Sequence, residues 1–196
     1  MQTKTAEYQI INGNAPFLIS SPHEYCHKRP TLTGVYKQGE KNTNRICKDI
    51  CKESQSSGIL ITRDIDYDPN YSKKNRNPYK KEVEKIVKEN KCKMFLDIHG
   101  LNPSHEYDIG IYYLSRFSKS KRMARELREI LDKGQLKGIS IHIFRVPDNG
   151  QETLTEFVAS KLRVPALQIE IAGYIREDEI LRDSLVKNIC NFLNSY

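Results

Sequence analysis

Short apolar runs, each about the length of a buried strand, recur along the chain and are bounded by turn residues. One of them, residues 93–98, leads into the polar sequence Asp-Ile-His-Gly at 97–100. Residues 6–11 alternate more loosely before a strong turn signal, Asn-Gly-Asn, which favours an opening hairpin or an edge strand. The pattern predicts further strands over residues 17–20, 59–62, 93–98, 108–114, 139–146 and 166–171.

Between these strands, apolar residues recur at the spacing of one helix face. This spacing predicts helices over residues 42–53, 79–90, 118–133, 153–162 and 179–194. The polar stretch 64–78 has no such periodicity and is predicted as a long loop. Long loops inside compact domains are usually functional or disordered, so this one is a candidate for part of a site.

Strands therefore alternate with helices over most of the 196 residues, a length that suggests one domain. This alternation predicts an α/β fold with a single domain over residues 1–196 and a mixed, mostly parallel central sheet with helices on both faces. The sequence contains no dinucleotide-binding glycine motif, no phosphate-binding loop and no serine-hydrolase elbow, so those enzyme classes are not supported.

Reactive side chains accompany three of the predicted strands. His23 follows strand 17–20, His99 follows strand 93–98, and Glu170 lies within strand 166–171. Imidazoles and carboxylates are the ligands of a catalytic zinc, which keeps one position for water and lowers the pKa of that water while a nearby Glu moves the proton. A carboxylate inside an apolar strand is costly without a partner, so Glu170 indicates either this chemistry or an ion pair, for example with Arg176.

Basic residues outnumber acidic ones: 32 Lys and Arg against 25 Asp and Glu give a net charge of +7. The basic residues are spread along the chain, with one dense cluster at 73–76 and Lys80-Lys81 close behind. Because no aromatic–basic pattern, zinc finger or basic zipper accompanies them, nucleic-acid binding is not expected. A basic surface that attracts an anionic substrate fits equally well.

The five cysteines lack the spacing of a disulfide framework, and Cys47 and Cys51 lie one turn apart in a predicted helix as small core residues. The N-terminus has no charged segment followed by an apolar run, and no stretch has the length of a membrane span. We therefore expect a cytoplasmic protein without a membrane segment.

Three motifs carry a family resemblance: Ser-Pro-His at 21–23, Asp-Ile-His-Gly at 97–100, and Leu-Gln-Ile-Glu-Ile at 167–171 followed by Arg176. Together they resemble the N-formylglutamate amidohydrolases and are similar to the related phage-type poly-γ-glutamate hydrolases, both distant relatives of zinc carboxypeptidases. The resemblance implies a zinc-carboxypeptidase-like fold, one Zn²⁺ ion and hydrolysis of an amide bond. It also implies that His23 and His99 are metal ligands and that Glu170 is the catalytic glutamate.

The third metal ligand is less closely matched. Zinc carboxypeptidases place it as His-x-x-Glu, whereas the third residue after His23 here is Cys26. The poly-γ-glutamate hydrolases place a Glu just before a helix-capping Gly-Thr, and this chain has Glu40 shortly before Thr43. The resemblance therefore favours Glu40, with Glu24 and Cys26 as alternatives. Asp97 lies on the same side of its strand as His99 and is a candidate hydrogen-bond partner for that imidazole.

An arginine is expected to bind a substrate carboxylate through paired hydrogen bonds. The relatives use an Asn-Arg pair, and here Thr62 stands before Arg63. Arg63 is the first candidate, Arg176 the second and Arg145 the third.

The sequence thus predicts a zinc-dependent hydrolase in which metal-activated water and Glu170 as general base cleave an amide bond. The expected substrate is a small carboxylate-bearing amide or peptide: N-formylglutamate-like, an N-acyl amino acid, or a γ-glutamyl or peptide amide. The alternative is a catalytically inactive basic α/β binding protein on the same fold, which the missing His-x-x-Glu and Asn-Arg would explain. A weaker alternative is a nucleic-acid partner for the basic loop 73–81.

Overall fold

The computed structural model describes residues 6–29, 36–114, 118–146 and 152–196. The strands are β1 (Tyr8–Ile11), β2 (Ala15–Ser21), β3 (His27–Lys28), β4 (Tyr36–Lys37), β5 (Ser56–Ile61), β6 (Met94–Gly100), β7 (Ile109–Leu114), β8 (Ile141–Val146) and β9 (Ala166–Ile171). The helices are α1 (Thr43–Ser54), α2 (Pro78–Glu89), α3 (Ser118–Leu131), α4 (Leu154–Lys161), α5 (Gly173–Glu177) and α6 (Glu179–Leu193).

Seven of these strands form one sheet in the order β1-β5-β2-β6-β9-β7-β8. The four central strands β5, β2, β6 and β9 are parallel to one another. Strand β7 runs antiparallel to β9 and parallel to β8, and β1 runs antiparallel to β5. The predicted mixed, mostly parallel sheet is therefore confirmed. Strands β3 and β4 pair separately in a small antiparallel ribbon that the sequence pattern did not predict.

Alternating side chains of the central strands divide the core between the two faces of the sheet. In β6, Leu96 and Ile98 pack with α1, α3 and α6, whereas Phe95 packs with α2 and α4. Helices therefore cover both faces, as predicted. Phe95 is fully buried, and burial of such a side chain stabilises the fold by roughly 1.5–3 kcal/mol.

The predicted loop 64–78 is confirmed as a connection between β5 and α2, with one short 3₁₀ turn at Lys74–Arg76. Asn77 anchors it: the side-chain oxygen accepts a hydrogen bond from the backbone N–H of Lys80 at 3.0 Å and so caps α2. The Asn77 amide also donates to the backbone carbonyls of Pro69 at 2.9 Å and Asp68 at 3.3 Å. These bonds fix Asp68 in position next to the sheet.

Because β5, β2, β6 and β9 are parallel, their carboxyl ends lie at one edge of the sheet, where open α/β sheets build their sites. His23 comes directly after β2, His99 lies at the end of β6, and Glu170 lies at the end of β9. None of the helices in the described parts of the chain has the length and apolar content needed to cross a membrane.

Candidate metal centre

Three side chains converge at the carboxyl edge of the sheet. The Nδ1 atom of His23 lies 3.4 Å from Oε1 of Glu40, and Nδ1 of His99 lies 3.3 Å from Oε2 of the same carboxylate. The two imidazole ring centres are 4.8 Å apart, and all three residues are buried. The structure thus brings together the three residues that the resemblance implied as metal ligands.

The spacing of these atoms fits a single metal ion. Two ligands of a tetrahedral zinc ion, each bonded at about 2.0–2.1 Å, lie about 3.3 Å apart. Nδ1 of His23 is buried and has no hydrogen-bond partner among the residues that the structure describes. An unsatisfied buried polar atom costs roughly 1–3 kcal/mol, and a metal ion would satisfy this one. Two imidazole nitrogens and a carboxylate are also a ligand set that zinc accepts.

The other nitrogen of each imidazole contacts a carboxylate. Nε2 of His23 lies 2.9 Å from Oδ1 of Asp68, and Nε2 of His99 lies 3.1 Å from Oδ2 of Asp97. Such contacts fix the orientation of metal-binding imidazoles and direct the opposite nitrogen toward the ion. The predicted Asp97 contact is confirmed. Asp68 was not predicted; its only signal was its place in the long loop after a buried strand.

Backbone contacts hold Glu40 between the two histidines. Its N–H donates to the carbonyl of His23 at 2.8 Å, and the N–H of Gly100 donates to Oε2 of Glu40 at 2.9 Å. A Cβ atom at Gly100 would lie 3.0 Å from Cβ of Glu40 and 3.0 Å from Cζ of Arg176. A glycine after His99 therefore permits the close approach of the Glu40 loop to the end of β6.

The two alternatives for the third ligand have other contacts. The Glu24 carboxylate accepts hydrogen bonds from the backbone N–H groups of Asn42 at 3.1 Å and Asn44 at 2.9 Å, so it satisfies the first turn of α1. Cys26 donates its backbone N–H to Asp64 at 3.0 Å. Neither belongs to a group of potential ligands whose atoms lie within 4.8 Å of one another in the described residues.

Charge interactions between the histidines and carboxylates of the cluster shift the pKa values of these side chains. Burial lowers the pKa of His99, but the Asp97 and Glu40 carboxylates outweigh this effect and raise it to about 10. Burial likewise opposes the charged form of His23, whose pKa the Glu40 and Asp68 carboxylates raise above its usual value. Burial disfavours the Glu40 carboxylate, yet the two imidazoles hold its pKa well below the usual range. The cluster therefore favours an ionised Glu40 carboxylate and positive charge next to it.

His27 lies on the other side of His23. Its ring stacks on that of His23 with centres 3.9 Å apart and planes inclined by 6°, and its Nε2 lies 3.6 Å from Oδ2 of Asp68. Burial and the neighbouring His23 lower the pKa of His27 to about 4. The role of this buried histidine was not predictable from the sequence, because neither spacing nor a motif distinguishes it from a loop residue.

A polar cavity of about 160 Å³ opens beside the cluster. Glu170 lies on its wall, opposite His99 in the register of β6 and β9, and Gln168 donates to Oε1 of Glu170 at 3.0 Å. The cavity is lined by His23, Arg29, Lys37, Glu40, Asn70, Tyr71, His99, Gly100, Asn102, His105, Gln168 and Glu170. Glu170 thus lies beside the three potential metal ligands, without an ion pair among the described residues.

The three predicted substrate-binding arginines are not among the described residues that line this cavity. Arg63 pairs with Glu7 at 3.0 Å, and its side chain is 40% exposed. Arg145 is exposed on β8. Arg176 is buried and donates to the carbonyls of Ile171, at 3.0 Å, and Lys41.

Two other cations line the cavity instead. Nε of Arg29 donates to Oδ2 of Asp68 at 3.0 Å, and the guanidinium carbon lies 4.6 Å from the centre of the Tyr71 ring. Nζ of Lys37 lies 3.6 Å from Oε1 of Glu40. Sequence reasoning missed both residues, because neither stands next to a strand of the central sheet.

The basic segment 73–81, which was predicted as a loop and whose last four residues belong to α2, has internal partners. Lys74 pairs with Glu84, and Lys80 is buried with its Nζ donating to the carbonyl of Glu152 at 2.8 Å. These contacts occupy part of the positive charge that made this loop a candidate nucleic-acid surface.

No protein-family model and no curated protein matches the chain. A solved structure, the gene product Atu2144 from Agrobacterium tumefaciens, superimposes with a TM-score of 0.68 at 10% identity, covering 96% of this chain and 92% of that one. A metallo-carboxypeptidase from Burkholderia cenocepacia has a TM-score of 0.62 at 10% identity over 98% of this chain and 66% of its own.

A third similar structure is the catalytic domain of CwlV, an N-acetylmuramoyl-L-alanine amidase from Bacillus (Paenibacillus) polymyxa var. colistinus. It has a TM-score of 0.57 at 14% identity and covers 92% of this chain and 97% of that one. At these identities the similarity establishes the fold. The chain has the zinc-carboxypeptidase-like α/β fold that the resemblance implied.

Proposed function

We propose that this chain is a metal-dependent hydrolase of amide bonds, with His23, Glu40 and His99 as metal ligands and Glu170 as the general base. The observation that carries this proposal is the spacing of the two Nδ1 atoms around the Glu40 carboxylate, 3.4 and 3.3 Å, beside a cavity that Glu170 also lines. The similarity in fold to a metallo-carboxypeptidase and an amidase supports the same reaction class.

Zinc is the ion that we propose, because catalytic zinc sites use this kind of ligand set. When bound, zinc lowers the pKa of a water molecule and polarises the carbonyl of the scissile amide. Asp68 and Asp97 hold the two imidazoles in the orientation that directs Nδ1 toward the ion.

Glu170 moves the proton. Its carboxylate accepts a proton from the attacking water and returns it to the nitrogen that leaves, so the same side chain serves as base and then as acid. Gln168, two residues earlier on the same face of β9, donates a hydrogen bond to Oε1 of Glu170. This bond fixes one oxygen of the carboxylate, and the side chain lines the cavity.

For the substrate carboxylate we propose Arg29 in place of Arg63, Arg176 and Arg145. Arg29 lines the cavity, and Asp68 and Tyr71 hold its guanidinium by one hydrogen bond and by stacking. Lys37 adds a second positive charge at the same cavity. These cations favour a small anionic amide: an N-formylglutamate-like compound, another N-acyl amino acid, or a γ-glutamyl or peptide amide. A cytoplasmic location stays a prediction.

The first experiment measures metal content and turnover together. Purified protein should contain about one zinc ion per chain by mass spectrometry and should hydrolyse at least one member of a panel. The panel contains N-formylglutamate, N-acetyl amino acids, γ-glutamyl amides and N-acetylmuramoyl-L-alanine. Protein that binds no zinc, manganese or cobalt, and hydrolyses none of these amides when supplied with them, would contradict the proposal. Such a result would favour the inactive binding protein.

A further inference from the structure

Five aromatic rings form a cluster beside the cavity, on the loop before β7 and on strands β7 and β8. The ring of Tyr107 lies 5.0 Å from that of His105, 5.4 Å from that of His142 and 5.0 Å from that of Phe144. The ring of Tyr112 lies 4.9 Å from that of Phe144 with planes inclined by 24°. We call these five residues the aromatic platform.

The platform is not part of the hydrophobic core. His105 and His142 are exposed, and Tyr107, Tyr112 and Phe144 are half-buried. These residues belong to neither of the two core clusters in the described part of the chain. The neighbouring Ile141 and Ile143 point to the opposite face of β8, where they pack in the cluster that contains α3. A continuous group of rings that lies outside the core is a candidate binding surface.

Strand register places the platform directly beside Glu170. Glu170 of β9 pairs with Gly110 of β7, which in turn pairs with His142 of β8. A Cβ atom at Gly110 would lie 2.7 Å from Cε2 of Tyr112 and 3.0 Å from Cε2 of Tyr107. The glycine therefore lets both tyrosine rings occupy the space next to Glu170, on the same face of the sheet.

Two further contacts join the platform to the cavity. His105 lines the cavity, and its ring packs at a tilt against that of Tyr107. The hydroxyl groups of Tyr107 and Tyr112 are hydrogen-bonded at 2.6 Å. Burial, this hydrogen bond and the charge of Glu170 together raise the pKa of Tyr112 above its usual value, so the Tyr112 hydroxyl stays neutral at ordinary pH. The cavity thus continues into an aromatic surface.

We propose that the aromatic platform binds an aromatic ring of the substrate, attached on one side of the amide bond that lies between Glu170 and the metal ligands. This inference rests on the proposed function for the position of the amide. Arg29 and Lys37, which line the cavity, would hold the anionic side, so the substrate class is an anionic amide that also carries an aromatic group. Offset and edge-to-face stacking on Tyr107 and Phe144 would supply the attraction.

Binding can be tested without metal or turnover. In saturation-transfer NMR with the metal-free protein, the ring protons of N-benzoyl-L-alanine should receive saturation. That signal should be lost in Phe144→Ala and in Phe144→Leu, which keeps an apolar side chain without the ring. Tyr196→Ala is the matched control, because Tyr196 is an exposed aromatic residue that stacks on Phe192 of α6. Equal saturation in the wild type and both Phe144 variants would overturn the inference.

Two other occupants of the aromatic platform would give different results, one in the NMR experiment and one in light scattering. If a saccharide occupies the platform, N-acetylmuramic acid should receive saturation and displace N-benzoyl-L-alanine, and the inference is wrong. If a second copy of the chain covers the platform, the wild type should form dimers by light scattering that Phe144→Ala abolishes, and the inference is again wrong. Thermal unfolding of each variant identifies any that has failed to fold.

Turnover separates this inference from the proposed function. Two series of substrates are compared by kcat/KM: N-benzoyl against N-acetyl amino acids, and amides of aromatic against amides of aliphatic amino acids. In at least one series, kcat/KM should be higher for the substrate that carries the aromatic ring. Phe144→Leu should reduce this preference on the order of tenfold, whereas Tyr196→Ala should retain it. Turnover with no aromatic preference would overturn the platform alone. Aromatic binding at Phe144 without any turnover would support the platform and contradict the hydrolase.

Discussion

His23 belongs to two buried clusters of histidine and carboxylate side chains. The first contains Glu40 and His99, and the second contains His27 and Asp68. Both have the composition of a metal site, and in both the potential ligand atoms lie within 4.8 Å of one another. We call them the Glu40 cluster and the Asp68 cluster. Their ring geometry differs, and the difference shows what composition and proximity leave undecided.

An imidazole binds a metal through a lone pair in the plane of its ring. In the Asp68 cluster, the planes of His23 and His27 are inclined by only 6° and the ring centres are 3.9 Å apart. Two stacked parallel planes do not meet at a common ion. In the Glu40 cluster, the planes of His23 and His99 are inclined by 72°, so in-plane lone pairs can converge.

The carboxylates differ as well. Oδ1 of Asp68 accepts hydrogen bonds from the backbone N–H groups of Asn70 at 2.8 Å and Tyr71 at 3.2 Å, and Oδ2 accepts one from Arg29. Glu40 accepts one backbone hydrogen bond, from Gly100 to Oε2. The Asp68 carboxylate is therefore engaged in holding its neighbours, whereas Glu40 retains lone pairs for an ion. We infer that the Asp68 cluster supports the Glu40 cluster.

The largest expected effect is a loss of metal, which we expect from a substitution in the Glu40 cluster and not from one in the Asp68 cluster. His99→Ala should abolish zinc binding, because it removes one of three proposed protein ligands. His27→Phe, which keeps a stacked ring against His23, should retain about one zinc ion per chain. Metal analysis after dialysis measures both. Loss of zinc in His27→Phe with zinc retained in His99→Ala would assign the metal to the other cluster.

The next effect concerns chemistry beside the Glu40 cluster. Glu170→Gln should keep the metal and reduce kcat by roughly 10³-fold, because it removes the group that accepts the proton. Steady-state kinetics and metal analysis on the same preparation give the result. A variant that retains full activity would remove Glu170 from the mechanism. Glu177→Gln, a change at a glutamate that does not line the cavity, is the matched control.

A smaller effect tests how the Asp68 cluster supports the other. Asp68→Asn keeps the shape of the side chain but removes the charge that orients His23. We expect metal affinity to fall about 10- to 100-fold, as for other changes to the partners of metal ligands. Competition with a zinc-binding dye measures the affinity. Unchanged affinity would show that His23 does not depend on Asp68.

The smallest expected effect concerns substrate binding. Arg29→Ala should raise KM about tenfold for an anionic amide, in line with the loss of a hydrogen bond to a charged group. It should change KM little for the matching uncharged amide. Arg63→Ala is the matched control, because that arginine pairs with Glu7 at the surface. The opposite pattern would return the role to Arg63.

The sequence predicted the elements that carry most of the fold. The apolar run of β6 and the periodic apolar residues of α2 predicted both elements nearly to their ends, because a buried face continues along most of each element. The prediction missed the ribbon of β3 and β4 and the short α5. Two-residue strands and single-turn helices contain too few side chains to produce a periodic signal.

Residues of the candidate site were predictable from the sequence where they lie at the end of a clearly apolar strand. His99 and Glu170 stand at the ends of apolar strands, and that position alone places them at the sheet edge. A family motif implied that Glu40 is the third metal ligand, and its contacts with His23 and His99 in the folded chain support this role. Arg29 shows the limit of sequence-based prediction. It follows the two-residue strand β3, and its contact with Asp68, on the loop after β5, accompanies its place at the cavity.

By itself, the sequence determined which residue types this protein places at strand ends and which faces of its elements are apolar. Both follow from local geometry, since side chains alternate along a strand and repeat along a helix face. Only the tertiary structure shows that the ring planes of the two histidine–carboxylate clusters differ, parallel in one and steeply inclined in the other. The angle between ring planes depends on contacts between distant loops, and such contacts are not encoded in the spacing of residues along the chain.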